Sequence, residues 1–320
     1  MFSRDQYDAA HDAAIVADGF SAGTIVFTGA DRRSFLHGLL TNDIASLTQG
    51  TGTYAAYLTP QGRMISDMRV IETGERLSMA VERGVAAALA SRFDGLIFSE
   101  DVQVSDASPG TTVIAVHGPS AAAMVERAAE MPLSGLTKPY DNTSAGSVTV
   151  VRDDYFGVPG YELYVPANAG GALRQRIVRE GAVPASAATL ETLRIEARRP
   201  RFGVDMTPET IPLEAGIEQR AISFTKGCYV GQEVIIRVMH RGHGRVARRL
   251  VAMILAGAAV PGAGDAIVFG QTAVGEVTSA AASPRANAPV ALGYVHRDHA
   301  SPGSELTING SQARVDQPVD

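Results

Sequence analysis

The run Thr225-Lys226-Gly227-Cys228-Tyr229-Val230-Gly231-Gln232-Glu233 holds the only cysteine in 320 residues. A thiol is a nucleophile or ligand only as thiolate, and an ammonium two positions upstream, with backbone N–H groups opened by flanking glycines, favours that anion. A lone free cysteine is usually a small buried hydrophobe. The surroundings here point instead to chemistry at Cys228, with Lys226 as its charged neighbour. A single thiol can supply a ligand transiently, exchange disulfides or capture an oxidised species. It cannot retain an iron–sulfur cluster by itself, because such a cluster takes about four thiolates.

Directly after this run comes a basic cluster, Arg237, His240, Arg241, His243, Arg245, Arg248 and Arg249. It reads either as a solvated surface or as an anion or acidic-partner site. His240 and His243 lie three apart, yet no acidic or cysteine ligand stands at metal-site spacing beside them, so no zinc site is implied. The glycines between Gly19 and Gly38 lack both the dinucleotide spacing and the Gly-Lys-Ser/Thr ending of a phosphate loop, and read as turns.

These residues need a scaffold, and its elements are legible in the punctuation. Thr24-Ile25-Val26-Phe27 predicts a strand, with Asp31 as N-cap of a helix whose Phe35, Leu36, Leu39 and Leu40 share one face. Val113 to Val116 predicts another strand, and Gly118-Pro119 puts proline at the first turn of an alanine-rich helix. Residues 170–180 and 185–198 are helical in pattern, the second ended by Pro200. Strand–helix–strand units of this kind favour an α+β core of ferredoxin-like halves. After about residue 245 the texture turns to short runs separated by Gly, Pro, Asn and Asp, the pattern of a β-barrel or sandwich.

Composition sets the outer bounds. With 45% hydrophobic and 19% charged residues the chain can build a substantial core, and its length fits two or three domains. A net charge of −6 argues against direct nucleic-acid binding. No apolar run approaches the roughly 18 residues of a membrane helix, and the start, Met1-Phe2-Ser3-Arg4-Asp5, carries an early acid unlike a presequence. The expected location is the bacterial cytoplasm, with no membrane partner.

Lys226-Gly227-Cys228-Tyr229 with Gly231-Gln232-Glu233 resembles the signature of the YgfZ-type folate-binding proteins, a branch of the glycine cleavage T-protein superfamily. Phe35-Leu36, Thr41-Asn42-Asp43, Pro60-Gln61-Gly62-Arg63 and Asp67 are similar to its amino-terminal half. Gly160-Tyr161-Glu162, Leu193-Arg194-Ile195-Glu196-Ala197, Pro200-Arg201-Phe202-Gly203 and Ile211-Pro212-Leu213-Glu214-Ala215 are similar to its middle. Gly275 to Ser279, Ser283-Pro284 and Ala291 to Val295 resemble its carboxy-terminal domain.

The resemblance implies an α+β, T-protein-like fold: two interleaved ferredoxin-like domains and a C-terminal β-barrel around a central folate cavity. The implied domains are residues 1–50 with 134–240, 51–133, and 245–320. It also implies tetrahydrofolate, or a one-carbon-substituted form, as cofactor. Glu162 would accept the pterin's N3–H and 2-amino donors, as a carboxylate fork can; its alternative is an ordinary strand residue facing away from Tyr161 and Leu163. Arg194 would meet folate oxygens, or else pair with Glu191 or Glu196 or stand on a solvated helix face. Tyr54, Tyr57 and Asp67 are further cavity candidates, each with a purely structural part as its alternative. The implied role is support of iron–sulfur cluster synthesis or repair in client enzymes through Cys228, with those enzymes or cluster-assembly proteins as partners. Methylamine-transferring relatives carry an aspartate after an Asn-Ala step, and residues 79–89 here contain neither, which disfavours transfer from a lipoyl carrier. That transferase, or a non-catalytic folate scaffold, remains the alternative.

Overall fold

The computed structural model describes residues 1–19, 23–240 and 244–319. In chain order come α1 (Arg4–Asp12), β1 (Ile15–Asp18), β2 (Gly23–Thr28), α2 (Arg32–Leu39), β3 (Thr51–Leu58), β4 (Met64–Glu72), β5 (Leu77–Val81), α3 (Ala86–Asp94) and β6 (Gln103–Asp106). Next are β7 (Thr111–His117), α4 (Ala121–Ala129), β8 (Asn142–Ala145), β9 (Val148–Asp153), β10 (Gly160–Pro166), α5 (Ala167–Arg179), β11 (Val183–Pro184) and α6 (Ala187–Glu196). The short helices α7 (Pro212–Ala215) and α8 (Glu218–Ala221) and then α9 (Gln232–His240) follow. Last come β12 (Arg248–Leu255), β13 (Ala266–Phe269), β14 (Thr272–Ser283), β15 (Ala288–His296), β16 (Glu305–Ile308) and β17 (Ser311–Pro318). Among the described residues no helix is long and apolar enough to cross a membrane.

By contact the chain divides into two compact units: residues 1–55, 67–189 and 225–229, and residues 56–66, 190–224 and 230 onward. The first unit contains two sheets, ordered β11-β1-β7-β10-β9-β8 and β3-β4-β5-β2-β6. In the second of these, β2, β4, β5 and β6 with α2 and α3 form a strand-helix-strand-strand-helix-strand half whose order is ferredoxin-like, β3 being added at the edge. In the first, β7, β9, β10 and β11 with α4 and α5 repeat the pattern, and β1 inserts between the outer pair. The halves are therefore interleaved, the inserted one running from β2 to β6. The chain passes from one sheet to the other between β1 and β2 and returns between β6 and β7. Local punctuation marks a strand without saying which sheet it joins, and β2 pairs β5 fifty or more residues away.

The ends of elements follow from local chemistry. Asp31 stands at the N-cap position of α2 but its side chain makes no cap hydrogen bond; its Oδ2 accepts the Asp101 N–H at 2.9 Å. Gly118 turns the chain from β7 into α4 at φ +135°, and a Cβ there would come within 2.5 Å of the Ala13 carbonyl oxygen. One face of the six-stranded sheet sends Val16, Ile114, Val116, Leu163 and Val165 into an apolar core with Met124 and Val125 of α4 and Leu173 and Ile177 of α5. Each such side chain, fully buried, contributes about 1.5–3 kcal/mol relative to exposure. In the other half Phe27 of β2 meets Phe93 of α3 edge to face, centroids 5.4 Å apart.

The second unit is built on a closed barrel, β12-β15-β14-β13-β16-β17, filled by Val251, Met253, Ile267, Val277, Val295 and Ile308 among others. The pairing of β14 with β15 slips between Val277 and Ser279, a bulge that leaves Thr278 unpaired in the ladder.

Candidate functional site

Alternation along β10 assigns its two faces. Tyr161, Leu163 and Val165 belong to the apolar core, so Gly160, Glu162 and Tyr164 project from the opposite face. Register adds neighbours: Gly160 stands opposite His117 on β7 and Asp153 on β9, and Glu162 opposite Ala115 and Val151. This face is polar yet closed, with Glu162 2%, Asp153 3% and His117 1% exposed.

Glu162 is held from two sides. Its Oε1 lies 2.9 Å from Nη1 of Arg69, a β4 residue of the other sheet, and its Oε2 accepts a 2.7 Å hydrogen bond from the Tyr164 hydroxyl. Asp153 Oδ2 is 3.6 Å from the same Arg69 nitrogen. Burial works against the guanidinium charge, but Glu162, Tyr164 and Asp153 outweigh it and hold the Arg69 pKa well above its ordinary value. Arg69 Nη2 is buried and has no hydrogen-bond partner among the described residues. Burial first, and Glu162 second, raise the Tyr164 phenol well above its usual range.

Asp67 precedes Arg69 by two on β4 and so shares its face. Its Oδ2 accepts the Tyr54 hydroxyl at 2.7 Å. Burial raises the Asp67 pKa, with Glu82 adding to the rise, while the Tyr54 hydrogen bond and Arg69 oppose it. Tyr57, buried at 3%, is three residues from Tyr54 on β3, and the pleat puts the two on opposite faces.

His117 packs edge-on against Phe156, centroids 4.8 Å apart at 89°, and neither ring nitrogen has a hydrogen-bond partner among the described residues. Burial pulls its pKa down to about 4, against Glu162, which favours the charged form. Only glycine fits opposite it: a Cβ at Gly160 would come within 1.9 Å of the His117 Nδ1.

Cys228 is free and exposed. The ammonium of Lys226 donates to the carbonyls of Leu40 at 2.7 Å and Asn42 at 3.0 Å, just after α2, and to that of His37 in the last turn of α2, and lies 5.2 Å from the Tyr229 ring centroid. Burial pulls the Lys226 pKa down to about 8. Three acceptors for three hydrogens make it an anchor for the motif, a role its spacing to the cysteine did not suggest. The Asn42 side chain in turn donates to the Tyr54 carbonyl at 2.8 Å, so the turn that Lys226 binds also touches the strand of Tyr54. Gly231, at φ +84°, is needed for its turn, since a Cβ there would meet the Thr59 carbonyl oxygen at 2.5 Å. Gly227 has neither constraint.

Arg194 is wholly buried in the second unit. Its Nε and Nη2 bind Glu191 at 3.0 and 2.5 Å, and its Nη1 binds Asp205 and the Arg199 carbonyl, each at 2.6 Å. That is the ion-pair alternative with Glu191, extended by Asp205. Of the basic cluster, Arg248 pairs with Glu214 at 3.3 Å and lies 4.4 Å from the Tyr294 ring, Arg249 donates to the Gly244 carbonyl, and Arg237 and Arg245 are exposed. Arg241 and His243 lie outside the described residues, as does the side chain of His240.

The sequence matches the family model of the GCVT N-terminal domain over residues 2–226 and that of the glycine cleavage T-protein C-terminal barrel domain over residues 248–318. An aminomethyltransferase of Streptomyces avermitilis is 31% identical over 325 aligned positions, spanning 96% of this chain and 86% of the relative. One from Thermosynechococcus vestitus is 30% identical, over 89% and 78%. The crystal structure of glycine cleavage system aminomethyltransferase T from Bartonella henselae superposes with a TM-score of 0.89, covering 98% of this chain and 88% of that one at 22% identity, a likeness of fold.

Proposed function

The chain belongs to the glycine cleavage T-protein family, and from that premise we propose that it binds a tetrahydrofolate and acts on the one-carbon unit the folate carries, in the manner of an aminomethyltransferase. The observation that carries this reading is the buried Glu162 carboxylate, held rigid by Arg69 and Tyr164. Each of its oxygens has a lone pair beyond the one already engaged, which suits the paired donors of a pterin edge. The orphaned Arg69 Nη2 beside it is a buried donor in want of an acceptor, as expected of residues shaped to a polar ring.

Bound folate would supply the nitrogens that carry and release the one-carbon unit. The chain's part is to hold the ring and to move protons. Asp67 is our candidate for proton movement: burial raises its pKa, and such a carboxyl can give and take a proton closer to neutrality than an exposed one. Residues 79–89 lack an aspartate, but proton movement needs only one carboxyl, and Asp67 answers it from β4.

A second reading, support of iron–sulfur cluster synthesis or repair in client enzymes, is favoured by one observation, the exposed Cys228 in its anchored motif. Both readings require folate, so folate is tested first. Glu162→Gln replaces one acceptor by a donor facing the pterin's donors, and calorimetry with tetrahydrofolate should show affinity falling by about 2 kcal/mol or more. Unchanged affinity removes Glu162 from the site.

A further inference from the structure

Glu162 and Arg69 are joined at 2.9 Å, and beyond that contact each keeps a complementary unused capacity: a carboxylate that still accepts, and a guanidinium arm, Nη2, that still donates. The guanidinium is planar, so the free arm lies beside the engaged one, next to the carboxylate. Side by side, the pair offers acceptors followed by a donor. Resting on the folate reading above, we propose that Arg69 is a specificity-determining contact: its Nη2 donates to the ring carbonyl that adjoins the donors taken by Glu162. The ligand edge so recognised is that of a 2-amino-4-oxo-pyrimidine, amino donor, ring N–H donor, carbonyl acceptor in sequence.

Arg69 is fixed in place for this contact. Its side chain is 11% exposed, tied to Asp153 at 3.6 Å as well as to Glu162. Asp67 two residues before it is bound to Tyr54, and the neutral His117 offers no competing charge. Nothing else among the described residues takes the Nη2 hydrogens. A buried guanidinium N–H left unpaired costs free energy, and a ligand carbonyl would remove that cost. A ligand with an amino group in place of the carbonyl would turn donor against donor.

Two natural ring systems carry this edge, pterins and guanine, and the test separates them. The affinities of folate and of its 4-amino analogue aminopterin are measured for the wild type, Arg69→Gln and Arg69→Lys. Folding of each variant is checked by thermal unfolding. Lysine keeps a charge for Glu162 and loses the second arm, so it serves if glutamine disturbs the fold. The wild type should prefer folate, and in both variants the folate-to-aminopterin preference should shrink about ten- to a hundredfold, the worth of a charge-assisted hydrogen bond. A purely structural role would weaken both ligands alike and leave the ratio unchanged, which would overturn the proposal. Guanosine, with adenosine as control, is the second arm. If guanosine binds with the same Arg69 dependence while folate does not bind, the edge recognition stands and the folate reading falls. If folate binds with a ratio indifferent to Arg69, the folate reading stands and this inference falls. Binding of neither ring overturns both.

Discussion

His117 is the residue whose protonation most directly tests the polar face. Its pKa is drawn by burial from 6.5 to about 4, so between those values the unfolded chain binds a proton that the folded one refuses. Stability is then fully present above pH 6.5 and is lost as pH falls toward 4. Two and a half pH units correspond to on the order of 3 kcal/mol. His117→Gln cannot titrate, so urea unfolding at pH 7 and pH 4.5 should show the wild type losing about 2–3 kcal/mol more than the variant. Parallel losses would mean that the imidazole is not held neutral in this packing against Phe156 and Gly160. Cys228 allows a simpler test at the same scale. Being exposed, it should react with an alkylating reagent without denaturant, and labelling that appears only on unfolding would return it to the buried-hydrophobe reading. Because the Lys226 hydrogens go to three carbonyls, Lys226→Met should disturb the motif's attachment.

At the scale of elements, the bulge in β14 brings two consecutive hydroxyls to one carboxylate. Thr278 and Ser279 donate to Asp205 Oδ1 at 2.5 and 2.7 Å, while Asp205 Oδ2 takes Arg194 and the Arg201 N–H. A regular strand would send neighbouring side chains to opposite faces; the bulge overrides that and ties the barrel to α6. Asp205→Ala removes the fully buried one of the two carboxylates that Arg194 binds, Glu191 being partly exposed, and breaking such a buried pair typically costs about 3–5 kcal/mol. Denaturant unfolding should show that loss, and Asp205→Asn should recover part of it by keeping the hydrogen-bond shape. What the sequence discloses about these elements has a physical limit. The strand over 24–27, the helices starting near 121 and 170, and the barrel runs after 245 are legible, because periodicity and turn residues are local signals. Sheet membership of β2 and the β14 bulge are not, since pairing partners are remote in sequence. Glu162 and Asp67 are visible through motif likeness, whereas Tyr54, Arg69 and His117 belong to no motif. The one available signal for the last two is a charged or polar residue in an otherwise apolar strand, as in Met68-Arg69-Val70-Ile71 and Ala115-Val116-His117.

For the whole molecule, the two proposed reactions make different demands on Asp67 and Cys228. Family membership favours transfer; the Cys228 motif favours a role with iron–sulfur clients. General acid–base help contributes about 10²- to 10⁴-fold, so if Asp67 is the proton-moving group, Asp67→Asn should lower turnover by that factor while tetrahydrofolate still binds. The assay supplies a methylamine-loaded lipoyl carrier and tetrahydrofolate and follows methylene-tetrahydrofolate. Turnover that falls with Asp67→Asn and survives Cys228→Ala identifies a transferase. Absence of turnover in the wild type, with folate bound normally, moves the weight to the thiol. In that case a strain lacking this protein should recover the activity of an iron–sulfur client enzyme when given the wild type and fail to recover it with Cys228→Ala. Recovery with the alanine variant would leave Cys228 no chemical part, and the chain would act there as a folate-binding scaffold.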